Sequence, residues 1–112
     1  MIVIDVGLDE SGLLKSCRAS GHAGAGERGT DIVCAAVSIL TKTAFQTLEK
    51  REGIEVRGGA LDRGVFLMET RAAEGEKPFL SAIGSFLLEG LNSVSREYPG
   101  HCTVNINTGF CK

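Results

Sequence analysis

The sequence contains no tryptophan, and aromatic side chains make up only 5% of its residues. A core built from this chain must therefore be mostly aliphatic. Its charge is nearly balanced, because 12 Lys and Arg residues against 14 Asp and Glu residues leave a net charge of −2. A nucleic-acid-binding domain needs a basic footprint. The composition therefore predicts a globular protein that makes no direct contact with nucleic acid.

Metal-binding and disulfide patterns are missing as well. The four cysteines are Cys17, Cys34, Cys102 and Cys111. They form no CxxC pair and no tight cluster, which disfavours a zinc ribbon or a disulfide scaffold. A zinc site that combined Cys17 and Cys34 with His22 and His101 has no support from spacing. The sequence therefore predicts reduced thiols, no metal and no cofactor.

Long apolar runs are also absent. A membrane-spanning helix needs about 20 consecutive apolar residues, and we find no such run in the sequence. Residues 1–6 have no basic region before their apolar stretch, and Asp5 interrupts that stretch, so the segment is interpreted as a strand rather than a signal peptide. These features predict a cytoplasmic protein with no membrane partner.

Apolar periodicity predicts seven elements within one domain, residues 1–112. Alternation predicts strands at about 2–8, 13–20, 54–60, 65–70 and 101–108. Helical spacing predicts helices from about Asp31 to about Arg51 and from about Pro78 to about Tyr98. The predicted order is ββαββαβ, and the predicted fold class is α+β, with a mainly antiparallel sheet packed by two helices.

Cys34 and His22 are the candidate catalytic residues. Cys34 falls in the first turn of the predicted helix, where unpaired N–H groups and the helix dipole favour a thiolate. His22 lies on the loop before that helix and could remove the thiol proton. The alternative is an inert cysteine in the core, since free cysteine is among the most buried residue types.

Asp31 has two interpretations. It could cap the helix by accepting from a backbone N–H two or three residues on, a role that Thr30 could also fill. It could instead orient the imidazole of His22 as the third member of a triad. The capping role is favoured, because short polar side chains at helix starts usually bond to the neighbouring backbone.

The segment between strand two and the helix is rich in glycine. Gly24, Gly26 and Gly29 match GxGxxG after a strand and before a helix, which is the context of a dinucleotide-binding loop. The preceding strand is too polar for such a fold, and the chain is too short for two wound halves. A nucleotide-binding module is therefore the less favoured alternative to a mobile loop that covers a site.

The segment from Gly21 to Ser38 closely resembles the signature of the bacterial ribosomal-processing cysteine proteases. The matching parts are Gly-His-Ala at 21–23 and Asp-Ile-Val-Cys-Ala-Ala-Val-Ser at 31–38. The resemblance implies that Cys34 is the nucleophile, that His22 is the base, and that Gly21, Asp31 and Ser38 are supporting residues.

The resemblance also implies a biological role. Members of this family are cytoplasmic endopeptidases that remove a short N-terminal extension from a large-subunit ribosomal protein, the twenty-seventh of the L series, and they look like homodimers. A flexible loop covers their active site, which predicts a substrate lid here. Its residues are Ala23, Gly24, Ala25, Gly26, Glu27, Arg28 and Gly29. This loop lacks the aromatic residue of many relatives, so contacts made through that ring do not carry over. The competing hypothesis is a non-enzymatic ribosome-assembly or interaction protein of the same fold.

Overall fold

The computed structural model describes residues 1–21, 28–62 and 64–109, and it confirms the predicted order ββαββαβ. The strands are β1 (Ile2–Leu8), β2 (Leu14–Ser20), β3 (Ile54–Asp62), β4 (Val65–Ala72) and β5 (Cys102–Asn107). The helices are α1 (Arg28–Glu49) and α2 (Lys77–Glu97), and a short 3-10 turn, Glu74–Glu76, leads into α2. Pro78 lies in the first turn of α2, as predicted.

All five strands form one sheet in the order β3-β4-β2-β1-β5. Every pairing is antiparallel except that of β1 with β5, which run parallel. The predicted α+β class and mainly antiparallel sheet are therefore confirmed. Because β2 is antiparallel to both of its neighbours, it is not the parallel strand that precedes a dinucleotide-binding loop. The nucleotide-binding alternative is therefore wrong at the level of the fold.

Both helices pack on one face of the sheet, and the core lies between the two layers. The inner strand β1 buries Ile2, Ile4 and Val6, the alternate residues that point to the same face. The helices bury apolar residues at helical spacing. They are Val33, Val37, Ala44 and Leu48 on α1, and Leu80, Leu87 and Leu91 on α2. Gly90 lets the two helices approach closely, since a Cβ there would lie 2.8 Å from Cδ2 of Leu40.

The helix α1 begins at Arg28, three residues before its predicted start. Thr30 and Asp31 therefore lie inside the first turn, and the predicted N-cap role of either residue is wrong. Cys34 is the seventh residue of the helix and lies in its second turn, not the first. The start of α1 was predicted too late because Gly29 is a poor helix former, and because threonine and aspartate are favoured as N-caps.

The same helix qualifies by composition as a membrane span, contrary to the sequence-based interpretation. Its window Ile32–Glu49 is 18 residues long with a mean hydropathy of 1.2. In the fold, this helix buries the stripe that includes Val33, Val37 and Leu48 against the sheet. The window is therefore the amphipathic helix of a packed core.

Gly21 ends β2 in a conformation that only glycine adopts easily. Its φ is +106°, and a Cβ at this position would overlap the backbone carbonyl of Met1 and lie 3.3 Å from Cα of Ile2. The backbone of Ile2 is held in turn by its N–H, which donates to the carbonyl of His101 at 2.9 Å. The chain leaving β2 therefore passes directly against the start of β1.

We expect Gly21→Ala to destabilise the protein more than Gly12→Ala does. Gly12 has a φ of +90° but no atom within 4 Å of an added Cβ, so its substitution adds backbone strain of about 1–2 kcal/mol alone. Gly21→Ala adds the same strain and also a collision with the backbone carbonyl of Met1. Urea unfolding of the two variants measures the difference in the free energy of unfolding. Equal losses would show that the backbone relaxes around residue 21 at no cost.

Candidate active site

A cleft of about 290 Å³ lies between one flank of α1 and the ends of four strands. The helix supplies Cys34, Val37, Ser38, Thr41 and Lys42. The other walls of the cleft come from the start of β1, the end of β2 and the β3–β4 hairpin. They are formed by Ile2, Ala19, Ser20, Gly21, Ala60, Gly64, Val65 and Phe66. The volume is at the small end of ligand pockets, enough for a few side chains of an extended peptide.

Cys34 is half-buried on the flank of α1 that borders this cleft. Val33, one residue earlier, is fully buried in the core, so the rotation that buries Val33 places Cys34 at the edge of the core. Ser38, four residues on, lies on the same side of the helix and also lines the cleft. The thiol is thus open to the cleft while it packs partly against apolar neighbours.

Thr41 lines the cleft two helical turns after Cys34. Its side chain is buried, and its hydroxyl donates to the carbonyl of Val37 at 2.8 Å. The carbonyl of Ser38 accepts a longer contact from the same hydroxyl at 3.3 Å. Because its polar atom is satisfied within the helix, Thr41 can line an apolar cleft without an unpaired buried group.

The structure brings together three of the predicted site residues. Gly21, Cys34 and Ser38 line one cleft, although Gly21 and Cys34 come from different elements. His22 and lid residues 23–27 lie outside the described residues. The lid prediction also included Arg28 and Gly29, which belong to the first turn of α1, so this part of the prediction is wrong.

Other lining residues escaped the sequence analysis. Lys42 could have been found by extending the helical spacing from Cys34, because residues eight apart share a helix face. Val65 and Phe66 carried no such signal, since they reach the cleft only through the pairing of β4 with β2.

The two described cysteines outside the cleft lie in the core, as predicted. Cys17 on β2 is fully buried, and burial raises the pKa of its thiol to about 12, with a smaller contribution from nearby Asp5. Burial also raises the pKa of the Cys102 thiol. Cys111 lies outside the described residues. Both core thiols are therefore held in the neutral form, which is a poor nucleophile.

His101 is not among the described residues that line the cleft. It precedes β5, and its backbone carbonyl holds the N–H of Ile2. The zinc site that would combine His101 with Cys17 and Cys34 does not form, because Cys17 is enclosed in the core while Cys34 borders the cleft. In the part of the chain that the structure describes, no three His, Cys, Asp or Glu residues form a group that could hold a metal ion.

A half-buried thiol that opens onto a peptide-sized cleft is the arrangement that a cysteine peptidase requires. The chain belongs to this class: the family model for the cysteine protease Prp matches residues 1–103, so the protein is a member of the Prp family of cysteine peptidases.

Solved structures agree with this assignment at the level of the fold. One is the essential ribosomal processing protease Prp from S. aureus in complex with a substrate peptide. It is 22% identical with a TM-score of 0.81, and the match covers 96% of this chain and 100% of that one. The same S. aureus protease with a covalently linked product peptide is 23% identical, with a TM-score of 0.80 and the same coverage.

A third structure, SMU.848 from Streptococcus mutans, is 28% identical with a TM-score of 0.76. The match covers 96% of this chain and 95% of that one. No significant match was found among curated proteins.

We expect iodoacetamide to modify Cys34 in the native protein at least about tenfold faster than Cys17 or Cys102 near pH 8. Cys34 opens onto the cleft, whereas the other two are buried and their raised pKa values leave little thiolate at that pH. Peptide mapping by tandem mass spectrometry gives the rate at each cysteine. In denaturant the three rates should converge. Native-state labelling of Cys17 at the rate of Cys34 would contradict the assignment of core and cleft thiols.

Proposed function

We propose that this protein is an endopeptidase in which the Cys34 thiol is the nucleophile and His22 is the base. The observation that carries the proposal is the position of Cys34 in the cleft that Gly21 also lines. Gly21 is the residue before His22 in the sequence. A base that directly follows Gly21 in the chain would therefore start at the edge of the cleft that holds the thiol. The non-enzymatic alternative offers no reason for a cysteine at the mouth of a cleft when two others are in the core.

The reaction proceeds through a thioester. His22 takes the thiol proton, and the Cys34 sulfur attacks the carbonyl carbon of the scissile peptide bond. The tetrahedral intermediate collapses, and His22 gives its proton to the leaving amine. Water, deprotonated by His22, then attacks the thioester and releases the free acid and the thiol. The protons therefore move only between these two side chains, the leaving amine and water.

The start of α1 at Arg28 changes how the thiol is activated. The stabilising effect of a helix dipole on an anion falls off within the first turn, and Cys34 lies in the second. Proton removal therefore depends more on His22 than the predicted helix start implied. The unpaired N–H groups of α1 belong to residues 28–31. Helical side chains tilt towards the N-terminus, so the Cys34 thiol leans towards these donors, which are candidates for binding the oxyanion.

The proposed substrate is the N-terminal extension of a large-subunit ribosomal protein, the twenty-seventh of the L series. Two arguments support it. The first is the family and its solved relative, which is described as a ribosomal processing protease and was crystallised with a substrate peptide. The second is the cleft volume of about 290 Å³, which suits an extended segment rather than a folded domain. A ribosomal substrate places the enzyme in the cytoplasm, where the catalytic thiol stays reduced.

We propose further that the protein works as a homodimer. The solvent side of the helical layer exposes three large apolar side chains. They are Ile32 and Ile39 on α1 and Phe86 on α2, with 53%, 67% and 73% of their surface accessible. Ile32 and Ile39 are seven residues apart and therefore share one face of α1. A second copy of the chain would remove this apolar surface from water.

We expect Cys34→Ala and His22→Ala each to abolish cleavage of the ribosomal protein from the same organism without unfolding the enzyme. The first removes the nucleophile and the second removes the base, so the rate should fall by at least about 10²-fold in each case. Mass measurement of the products follows the reaction, and circular dichroism checks the fold.

The matched controls are Cys17→Ala and His101→Ala, which change the same residue types outside the cleft. Both should leave cleavage largely intact. Proteolysis retained by purified Cys34→Ala would end the assignment of the nucleophile, and equal losses in His22→Ala and His101→Ala would remove His22 from the dyad.

We expect Ile39→Glu and Phe86→Glu to convert the dimer to a monomer, because each places a charge in the proposed apolar interface. Sedimentation velocity gives the mass. Ile106→Glu is the control, since Ile106 is 43% exposed but belongs to the edge strand β5 and to neither helix. A wild-type protein that sediments as a monomer, or a dimer untouched by both helix variants, would contradict this interface.

A further inference from the structure

The cleft beside Cys34 carries one charged side chain among its described lining residues, and that side chain is Lys42. The remaining described lining is apolar, small or hydroxyl-bearing. The ion pairs between side chains that the structure describes involve residues other than Lys42. Lys42 therefore lies where its ammonium group could meet a molecule that enters the cleft.

The backbone positions of Lys42 and Cys34 have a defined spacing. Lys42 follows Cys34 by eight residues on the side of α1 that lines the cleft, so their Cα atoms are about 12 Å apart along the helix axis. Ser38 and Thr41 line the cleft between them. An extended peptide advances about 3.3 Å per residue, so a substrate that runs from Cys34 towards Lys42 meets the ammonium group three or four residues from the scissile bond.

The chemistry of lysine decides what it would recognise. An ammonium group has three donors and no acceptor, so it favours oxygen acceptors and repels cations. An aspartate or glutamate is the best partner, and an asparagine or glutamine the next best. A lysine or arginine at the same place would meet a like charge in a cleft whose described part offers no carboxylate.

We propose that Lys42 is a specificity-determining residue of the proposed peptidase. It selects an acceptor side chain three or four residues from the scissile bond and disfavours a cationic one. This inference rests on the proposed function, because it takes an extended peptide as the ligand of the cleft. It assigns to Lys42 no part in bond cleavage.

The expected size of the effect follows from the exposure of Lys42. An ion pair between exposed groups changes affinity by a modest amount, so Kd for an acidic and an alanine peptide should differ by roughly two- to fivefold. Screening by salt should reduce that ratio towards one at high ionic strength. A lysine peptide should bind more weakly than the alanine peptide by a similar factor.

The test measures binding and cleavage separately. The probes are peptides that span the processed bond of the ribosomal protein, with Asp, Asn, Ala or Lys placed in turn three or four residues to either side of that bond. Fluorescence polarisation with the Cys34→Ala protein gives Kd without turnover. Competition between peptide pairs with the active enzyme gives the ratio of kcat/KM.

Lys42→Glu should invert the order, so that the lysine peptide binds best and the aspartate peptide worst. Lys50→Glu is the matched control, because it makes the same charge change in the turn after α1, about 24 Å along the helix from Cys34. Lys50→Glu should keep the wild-type order. Inversion in Lys42→Glu alone would support the proposal.

The outcomes separate this inference from the proposed function. If all peptides bind and are cleaved at equal rates in wild type and Lys42→Glu, the specificity role is wrong while the peptidase stands. If Lys50→Glu inverts the order as well, the effect is one of net charge and the inference is also wrong. If no peptide binds Cys34→Ala and none is cleaved by the wild type, the peptide-processing function fails and the inference falls with it.

Discussion

The packing of α1 onto the sheet is the constraint on which the site depends. Val33, Val37 and Leu48 fix the rotation of the helix, because their burial leaves only one face of α1 for the core. That rotation puts Cys34 on the boundary between core and solvent. A change of about 100° in either direction, one residue of helix, would bury the thiol completely or turn it away from the strand ends. The Cys34 thiol is therefore positioned by hydrophobic packing of its neighbours in the helix.

The wall of the cleft at the end of β2 depends on a backbone contact. Gly21 brings the end of β2 against the carbonyl of Met1, which leaves no room for a side chain. The requirement for glycine at position 21 thus has a steric basis that is independent of any chemistry in the cleft.

Local patterns in the sequence were enough to predict the strands, their order with the helices, and the start of α2 near Pro78, one residue from its observed start at Lys77. They were also enough to separate Cys34 from Cys17, since helical and strand periodicity assign the two thiols to different surroundings. The start of α1 was predicted wrongly, because Gly29 has a weak local preference for helix and the fold overrides it. The parallel pairing of β1 with β5 and the wall formed by Phe66 could not be predicted, since both depend on contacts between distant segments.

The parallel pairing of β1 with β5 has a consequence for biosynthesis. Ile2 lies beside Cys102 in the sheet, so β1 gains its second neighbour from a segment about one hundred residues further along the chain. A protein emerges from the ribosome with its N-terminus first, and β1 therefore has one unpaired edge until β5 has emerged. Because Ile2 also lines the cleft, the wall of the cleft at the start of β1 is fixed only when translation of the chain is nearly finished.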